Sequence, residues 1–564
     1  MHRPVETRAS ARLLGKLTLS LWLAGCLAGA SVPVQAADPV PWTGFYVGGS
    51  AGILTGTTRF SDPNGSDIYG GDVPASGFLA GLQVGHNWLV DRRWLLGLEA
   101  AGSLATSPGT NTCLQSSAAI IGSNCKVTPR GQIALTGRIG ALTEPDGRTL
   151  LYGKGGVAWM RADVAIEANQ GFNNFDGPGS PERKPVGAWG WTVGVGLERA
   201  ISPSWSLFAE YDYLRVASVP MTTPATVIGT SSTTIDPVPG GTSSVSFDQH
   251  SVKLGVNYRF GGPAPAAREP ASGGTAESGS VPPWSPGWEF TLGTRYWYAW
   301  GRYGNSNGQR DEIMSRLTYT DMRAHSGELV ARLDSPYGIF AKALGGGGVI
   351  TSGVMFDEDW GHATGSNNPL ESYSRTDSGL SGSMNYFTFD VGYDVLRGAD
   401  HKVGLFVGYN RLQVVMSAFG CNQLVNPSPG VCDPAPATGR NSISELDTWQ
   451  SLRTGASAEV KLSPRFTLAG EVAYLPFASY AGLDIHHLRE PVVYFPWQGT
   501  GQGVQAELLA TWQATDAFSL GLGGRYWSLW TNNAFQSNQP GNVFFADTQW
   551  YGLLVQASYR FLPK

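Results

Sequence analysis

The chain has 564 residues, including 75 Gly and 35 Pro, and its 39 Lys and Arg against 44 Asp and Glu give a net charge of −5. With 15% charged and 11% aromatic residues, it is too poor in charge and too rich in aromatics for a disordered chain. Gly follows no collagen period, and the basic excess of nucleic-acid-binding proteins is missing, so no nucleic-acid partner is expected. The composition favours short alternating strands with aromatic belts, as in a β-barrel. The mean hydropathy of −0.12 is compatible with a membrane barrel, because apolar and polar residues alternate along its strands.

Residues 1–37 predict a secretory signal peptide. A basic start precedes an apolar run over 17–30 and an Ala-rich segment that ends near Ala37. Two rival interpretations are a lone transmembrane anchor, for which the run is short, and lipidation at Cys26, which follows Leu-Ala-Gly. The apolar stretch continues past Cys26, which favours the later cleavage site. No other segment holds the roughly 18 uninterrupted apolar residues of a spanning helix, so the exported chain would cross a membrane by strands or not at all.

The remaining cysteines form two close pairs, Cys113 with Cys125 and Cys421 with Cys432. In an oxidising compartment each pair would close a short loop, so two disulfides are predicted. A zinc site is the weaker alternative, because neither pair has CxxC spacing and no His lies beside them at ligand spacing. We expect neither a metal nor an organic cofactor.

Residues 261–286 predict a flexible linker, because Pro, Gly, Ala and Ser dominate them. The linker divides the mature chain into residues 38–260 and 287–564. Each part ends on an alternating strand with a terminal aromatic residue, Phe260 in the first part and Phe561 in the second.

The first part predicts an eight-stranded outer-membrane barrel. Over 251–260, apolar residues alternate with polar or small ones, which is the period-two pattern of a barrel wall. A soluble sandwich would alternate too, but here short turns and long Gly-, Ser-, Thr- and Asn-rich loops follow one another regularly, as in outer-membrane proteins. The strands are predicted near 43–54, 77–89, 93–104, 128–142, 148–165, 188–201, 204–217 and 247–260.

The second part repeats this design and predicts a ten-stranded barrel. The strands are predicted near 288–304, 316–334, 338–352, 382–397, 402–418, 448–462, 466–482, 496–514, 517–532 and 547–561. Even strand numbers return both barrels to the periplasm, so the loops would be extracellular and the linker periplasmic. Phe260 and Phe561 resemble signals for the outer-membrane assembly machinery. A single 18-stranded barrel is the rival interpretation, against which the linker and the two terminal strands argue.

The predicted fold class is therefore all-β, with two tandem transmembrane antiparallel β-barrels in the outer membrane of a Gram-negative bacterium. Residues 42–52, Trp-Thr-Gly-Phe-Tyr-Val-Gly-Gly-Ser-Ala-Gly, and the closing residues 255–260 resemble small opacity-like or immunogenic outer-membrane proteins of α-proteobacteria. The resemblance spans the first barrel and implies a structural, adhesive or immunogenic surface protein.

The second barrel resembles the omptins, ten-stranded outer-membrane proteases. Residues 353–360 contain the Asp-x-Asp-Trp motif of that family, and residues 484–486 match its Asp-x-His pair. Residues 385–390 and 403–409 are also similar, so the resemblance covers about 285–562. It implies an aspartic-type endopeptidase that acts on extracellular proteins or peptides, and a dependence on lipopolysaccharide in the surrounding membrane lipid.

The candidate catalytic residues are Asp357, Asp359, Asp484 and His486. Strand counting places the first two in the second outer loop and the others in the fourth, and residues i and i+2 of an extended chain share a face. His486 could take a proton from water while Asp484 orients its ring, as in omptins. The two neighbouring aspartates would hold the water and share a proton, because like charges resist joint ionisation. His362, His487 and Trp360 lie nearby and are expected to be ordinary rim or packing residues.

Two omptin features are missing from the sequence. The first strand, at residues 298–302, lacks the Glu that helps omptins bind a basic side chain, and Gly482 replaces the acid two residues before Asp-x-His. Arg302 would further oppose a basic substrate, and a Ser and a His of the omptin second loop have no match around Ser374. The alternative functions are a non-catalytic surface antigen, adhesin or structural protein with a degenerate site, and a pore, for which both barrels are narrow.

Overall fold

The computed structural model describes residues 42–561 except for 62–71, 92, 116–121, 144–146, 169–181, 224–225, 232–233, 239–240, 261–286, 310–311, 361–372, 426–431 and 433–434. The predicted signal peptide, Cys26, the linker and His362 lie outside the described residues. Across the described ranges, no helix is long and apolar enough to cross a membrane.

The first part of the chain forms a closed cylinder. Its described strands are β1 (Gly44–Phe60), β2 (Asp72–Leu89), β3 (Trp94–Thr106), β4 (Gly109–Gln115), β5 (Gly122–Thr143), β6 (Thr149–Ala168), β7 (Glu182–Ala200), β8 (Trp205–Thr222), β9 (Thr226–Ser231), β10 (Thr234–Val238) and β11 (Thr242–Arg259). Neighbours follow the order β3-β2-β1-β11-β8-β7-β6-β5, and β3 also pairs with β5, so eight strands close on themselves.

Three short strands lie where the sequence predicted only loops. β4 continues beyond β3 and pairs antiparallel with the outer part of β5, and the Cys113–Cys125 disulfide joins the two. β9 and β10 form a separate two-stranded sheet. The loop prediction was wrong here because a hairpin above the membrane needs no apolar face, so it lacks the alternation that reveals a wall strand.

The second part of the chain forms a closed ten-stranded barrel. Its strands are β12 (Glu289–Gln309), β13 (Glu312–Asp334), β14 (Ile339–Trp360), β15 (Tyr373–Arg397), β16 (His401–Val425), β17 (Asn441–Ser463), β18 (Phe466–His486), β19 (Val493–Gln513), β20 (Phe518–Gln536) and β21 (Gln539–Phe561). Each pairs with the next, and β12 pairs with β21. The predicted fold class of two barrels is confirmed, and the separate closure of each sheet is incompatible with one 18-stranded barrel.

The burial pattern is inverted relative to a soluble protein. Leu82, Leu104 and Val195 on the outer wall of the first barrel are 75%, 77% and 61% exposed. Its interior instead holds charged side chains in ion pairs, such as Lys154 with Glu99 at 3.0 Å. Lone buried charges would be costly, and pairing offsets that cost. An apolar exterior around a charged interior is the arrangement that a lipid bilayer requires.

The lumen of the second barrel is crossed by a similar network. Arg525 is fully buried and donates hydrogen bonds to Glu328 and Glu507 at 3.1 and 2.9 Å. An aromatic layer lies beside it, in which Trp297 and Trp527 meet edge to face at 5.2 Å. These groups fill the middle of the barrel and form a floor beneath its outer end, which is the end opposite the short turns.

The two barrels pack side by side along their outer walls. At the periplasmic end Arg199 donates to Asp400 at 2.9 Å. In the middle, outward-facing apolar residues of β1 and of β18–β20 form one cluster, whose buried members are Ile53, Val472, Val504, Ala506, Tyr526 and Trp530. At the outer end the β4–β5 hairpin reaches β13 and β14. These three contacts involve different strands of the second barrel. Because barrel strands are tilted, the side that faces the first barrel includes a periplasmic turn, the middle parts of some strands and the outer ends of others.

Candidate active site at the outer rim of the second barrel

The four candidate residues lie at the outer ends of two strands. Asp357 and Asp359 end β14, and Asp484 and His486 end β18. Val349, an outward-facing residue of the apolar belt on β14, is 54% exposed. Asp357 lies eight residues further along β14, about 26 Å along the tilted strand, and therefore beyond the apolar belt. The site belongs to the part of the barrel that projects outside the cell.

The two candidate residues on β18, Asp484 and His486, form a hydrogen-bonded pair. His486 Nε2 lies 3.0 Å from Asp484 Oδ2, and the imidazole meets the ring of Phe495 edge-on at 5.2 Å, which restricts its rotation. An ionised carboxylate can only accept a hydrogen bond, so Nε2 is the donor in this pair. In the neutral ring Nδ1 is then the nitrogen with the basic lone pair.

The two candidate residues on β14, Asp357 and Asp359, form a carboxylate pair. Both side chains face the groove that the Asp484–His486 pair also faces. Ser315 lies on β13 directly opposite Asp359, and it donates a hydrogen bond to that carboxylate. Burial raises the pKa of Asp357 well above its usual range, and the neighbouring Asp359 carboxylate raises it further. Burial also raises the pKa of Asp359, while a hydrogen bond from Ser315 acts in the opposite direction. The pair therefore retains a proton more readily than exposed aspartates would.

The aspartate pair on β14 and the Asp484–His486 pair on β18 interact electrostatically across the groove. Asp484 acts on both Asp357 and Asp359, and His486 acts on Asp359. Tyr319, which is fully buried, interacts electrostatically with one residue of each pair, Asp357 and Asp484. Within the part of the chain that the structure describes, Asp357 Oδ1, Asp484 Oδ1 and the Tyr319 hydroxyl have no hydrogen-bond partner. Polar atoms of this kind can orient a water or a peptide carbonyl.

Sequence reasoning missed a second carboxylate pair, Glu445 and Asp447 on β17. Glu445 lies directly opposite Asp484, and Asp447 lies opposite Gly482. Both side chains are buried, and Tyr303 donates to Asp447 Oδ1 at 3.1 Å. The acid that the sequence has lost at Gly482 therefore has a counterpart on the neighbouring strand. The Glu-x-Asp spacing on one face of a strand was the signal that could have identified it.

Other nearby residues have different roles from those expected. Arg302 faces away from the groove and forms an ion pair with Asp547, so the expectation that it opposes a basic substrate was wrong. The alternation of β12 is the reason, because its neighbour Tyr303 is the residue that points inward. Ser374 lies opposite Asp359 on β15. His487 bonds to Ser444 at 3.0 Å, as a rim residue would.

Both cysteine pairs are disulfide-bonded in the structure. The Cα atoms of Cys113 and Cys125 are 5.7 Å apart, and those of Cys421 and Cys432 are 5.8 Å apart. The first disulfide closes the β4–β5 hairpin, and the second closes the loop after β16. Each lies on the outer side of its barrel, which is an oxidising environment.

Comparisons with known proteins bear mainly on the first barrel. Residues 24–260 match the family described as outer membrane protein beta-barrel domain. The chain is 28% identical over 243 residues to the 31 kDa outer-membrane immunogenic protein of Brucella melitensis biotype 1, covering 41% of this chain and 89% of that protein. An uncharacterized protein of Coxiella burnetii is 26% identical over 248 residues, covering 41% of this chain and 88% of that protein.

Two solved structures are similar to parts of the chain. The outer membrane protease OmpT from Escherichia coli covers 48% of this chain and 96% of its own, with 14% identity and a TM-score of 0.39. Ail, the attachment invasion locus protein of Yersinia pestis, covers 39% of this chain and 99% of its own, with 15% identity and a TM-score of 0.19. Likeness at this level carries no information on activity. The family match, the immunogenic relative and the inverted burial together show that the chain is an outer-membrane β-barrel protein of a Gram-negative bacterium.

Proposed function

We propose that the second barrel is an endopeptidase whose catalytic residues are Asp357, Asp359, Asp484 and His486. The observation that carries the proposal is the hydrogen-bonded Asp484–His486 pair, which shares one groove with a proton-retaining aspartate pair. A base with an orienting carboxylate opposite a neutral carboxylic acid supplies both groups that peptide hydrolysis by water needs.

The proposed reaction has no covalent enzyme intermediate. His486 Nδ1 takes a proton from a water whose oxygen attacks the peptide carbonyl carbon, and Asp484 stabilises the imidazolium that forms. Protonated Asp357 donates a hydrogen bond to the carbonyl oxygen as negative charge develops there. The tetrahedral intermediate then collapses, the C–N bond breaks, and the imidazolium returns its proton to the leaving amine. The products are a carboxylic acid and a free amine.

The position of the groove supports extracellular proteins or peptides as substrates. The four residues lie beyond the apolar belt, so a chain in solution can approach them without entering the bilayer. Since the second barrel is embedded in outer-membrane lipid, we propose that activity depends on lipopolysaccharide around its wall.

The test is cleavage of a peptide library by the full refolded chain in membranes that contain lipopolysaccharide. We expect Asp484→Ala and His486→Ala to lower the rate by about 100- to 10,000-fold, the usual contribution of a general base. His487→Ala is the matched control, because that ring bonds to Ser444 and should leave the rate unchanged. Mass spectrometry of the products identifies the cleaved bonds.

Equal cleavage by wild type and both variants, or cleavage by none of them, would contradict the protease proposal. It would favour a second candidate, a non-catalytic surface antigen with a degenerate site. The similarity to an outer-membrane immunogenic protein supports that candidate for the first barrel.

A further inference from the structure

The disulfide-closed β4–β5 hairpin of the first barrel contacts the strand pair that carries the candidate aspartates. Arg316 on β13 donates to Thr112 Oγ1 and Asn124 Oδ1, each at 2.6 Å. Thr112 in turn donates to Glu358 Oε2 on β14 at 3.3 Å. All four side chains are nearly fully buried, with exposures of 0–3%.

Strand alternation links this contact to the catalytic groove. Glu358 lies between Asp357 and Asp359, so it points outward while its two neighbours point into the groove. On β13, Arg316 lies opposite Glu358, whereas Ser315, the donor to Asp359, lies opposite that aspartate. A shift of the outer face by one residue, or a change in its twist, would therefore move both aspartates.

The hairpin is built to hold its side of the contact rigidly. Thr112 and Asn124 are directly opposite each other, and each adjoins one cysteine of the Cys113–Cys125 disulfide. Thr110 also donates to Asn124 Oδ1 at 2.8 Å, which fixes the amide that accepts from Arg316. The ends of β13 and β14 project beyond the membrane, where the bilayer no longer supports them.

We infer that the β4–β5 hairpin of the first barrel is a positioning element for the proteolytic site of the second, acting through Thr112 and Asn124 on Arg316 and Glu358. The first barrel then contributes to catalysis without touching the substrate. This inference rests on the proposed function for its catalytic consequence, but the positioning itself can be measured without any activity.

The test compares Thr112→Val with Thr112→Ser in the full chain. Valine keeps the volume but removes the hydroxyl, so kcat should fall about 10- to 100-fold, the effect of a misplacement near 1 Å, with KM unchanged. Serine keeps the hydroxyl and should restore kcat. Asn111→Ala is the control, because Asn111 lies on the same hairpin and donates to the Asp72 carbonyl within the first barrel. Heat-modified migration in gels checks that each variant is folded.

Amide hydrogen exchange of residues 353–360 tests the positioning element independently of the protease proposal. Faster exchange in Thr112→Val than in wild type and Asn111→Ala supports the positioning element even if no variant cleaves any peptide, in which case only the protease proposal fails. Unchanged exchange, or a wild-type kcat in Thr112→Val while His486→Ala is inactive, would overturn the positioning element and leave the protease proposal standing.

Discussion

At the scale of residues, the groove depends on two neighbouring carboxylates that differ in their surroundings. Asp359 accepts a hydrogen bond from Ser315, so its ionised form is partly stabilised. Burial raises the pKa of Asp357 well above its usual range, and the neighbouring Asp359 carboxylate raises it further. This difference assigns the proton to Asp357, which makes it the hydrogen-bond donor of the pair.

Asp357→Asn tests that assignment through the pH dependence of kcat. In the wild type, Asp357 must be protonated, so kcat should fall as the pH rises through its raised pKa. Asparagine is neutral at every pH and keeps a donor, so kcat should fall by less than about 100-fold and the alkaline loss should disappear. Asp377→Asn, on the outward face of β15 opposite Phe356, is the control with the same substitution outside the groove. An unchanged alkaline loss in Asp357→Asn would assign it to another group.

At the scale of elements, the strands of the second barrel are tied together by charges that cross the lumen. Arg525 on β20 joins Glu328 on β13 to Glu507 on β19. It also lies 4.8 Å from the ring of Trp297 on β12. One side chain thus connects four strands that approach from different sides of the barrel, directly below the groove.

Arg525→Met should destabilise the second barrel by about 3 kcal/mol, because it removes a buried cation from Glu328 and Glu507 and leaves them only Arg295. The measurement is the free energy of unfolding in urea for the chain in lipid vesicles. Arg411→Ala is the control, since Arg411 donates to Asn385 at an exposed position and its loss should cost less than about 0.5 kcal/mol. Equal unfolding free energies for both variants would mean that the network does not stabilise the barrel.

At the scale of the whole molecule, two filled barrels pack against each other along their outer walls. In the first barrel Arg138 donates to Glu198 at 2.8 Å, and Lys154 to Glu210 at 2.7 Å, across the lumen. Eight- and ten-stranded barrels enclose little more than their own side chains. The apolar contact between the two walls and the polar contacts at both ends hold the barrels together, with the hairpin of one beside the site of the other.

The filled lumens predict that the protein is not a pore. Reconstituted into planar bilayers, the full chain should show no steady conductance in salt solution, because ion-paired side chains occupy the path through each barrel. A 16-stranded porin under the same conditions provides the positive control. Steady conductance comparable to that of the porin would contradict the filled interior.

Much of the fold follows from local sequence pattern. Period-two alternation and the succession of short turns and long loops identified the wall strands and their number, because each depends only on neighbouring residues. Strand lengths were underestimated: β15 begins at Tyr373, whereas the alternation begins near 382. Above the membrane neither face of a strand must be apolar, so the pattern that reveals a strand disappears while the hydrogen bonding continues.

The site was only partly predictable for a similar reason. The sequence by itself determined the membrane class, the strand number and the four candidate residues, because alternation and short motifs are local. Only the tertiary structure decided that β14 and β18 face one groove, that Glu445 and Asp447 lie on the strand beside it, and that Thr112 supports it from another barrel. Those relations depend on barrel closure, strand tilt and register, which bring together residues far apart in the chain and leave no periodic trace in it.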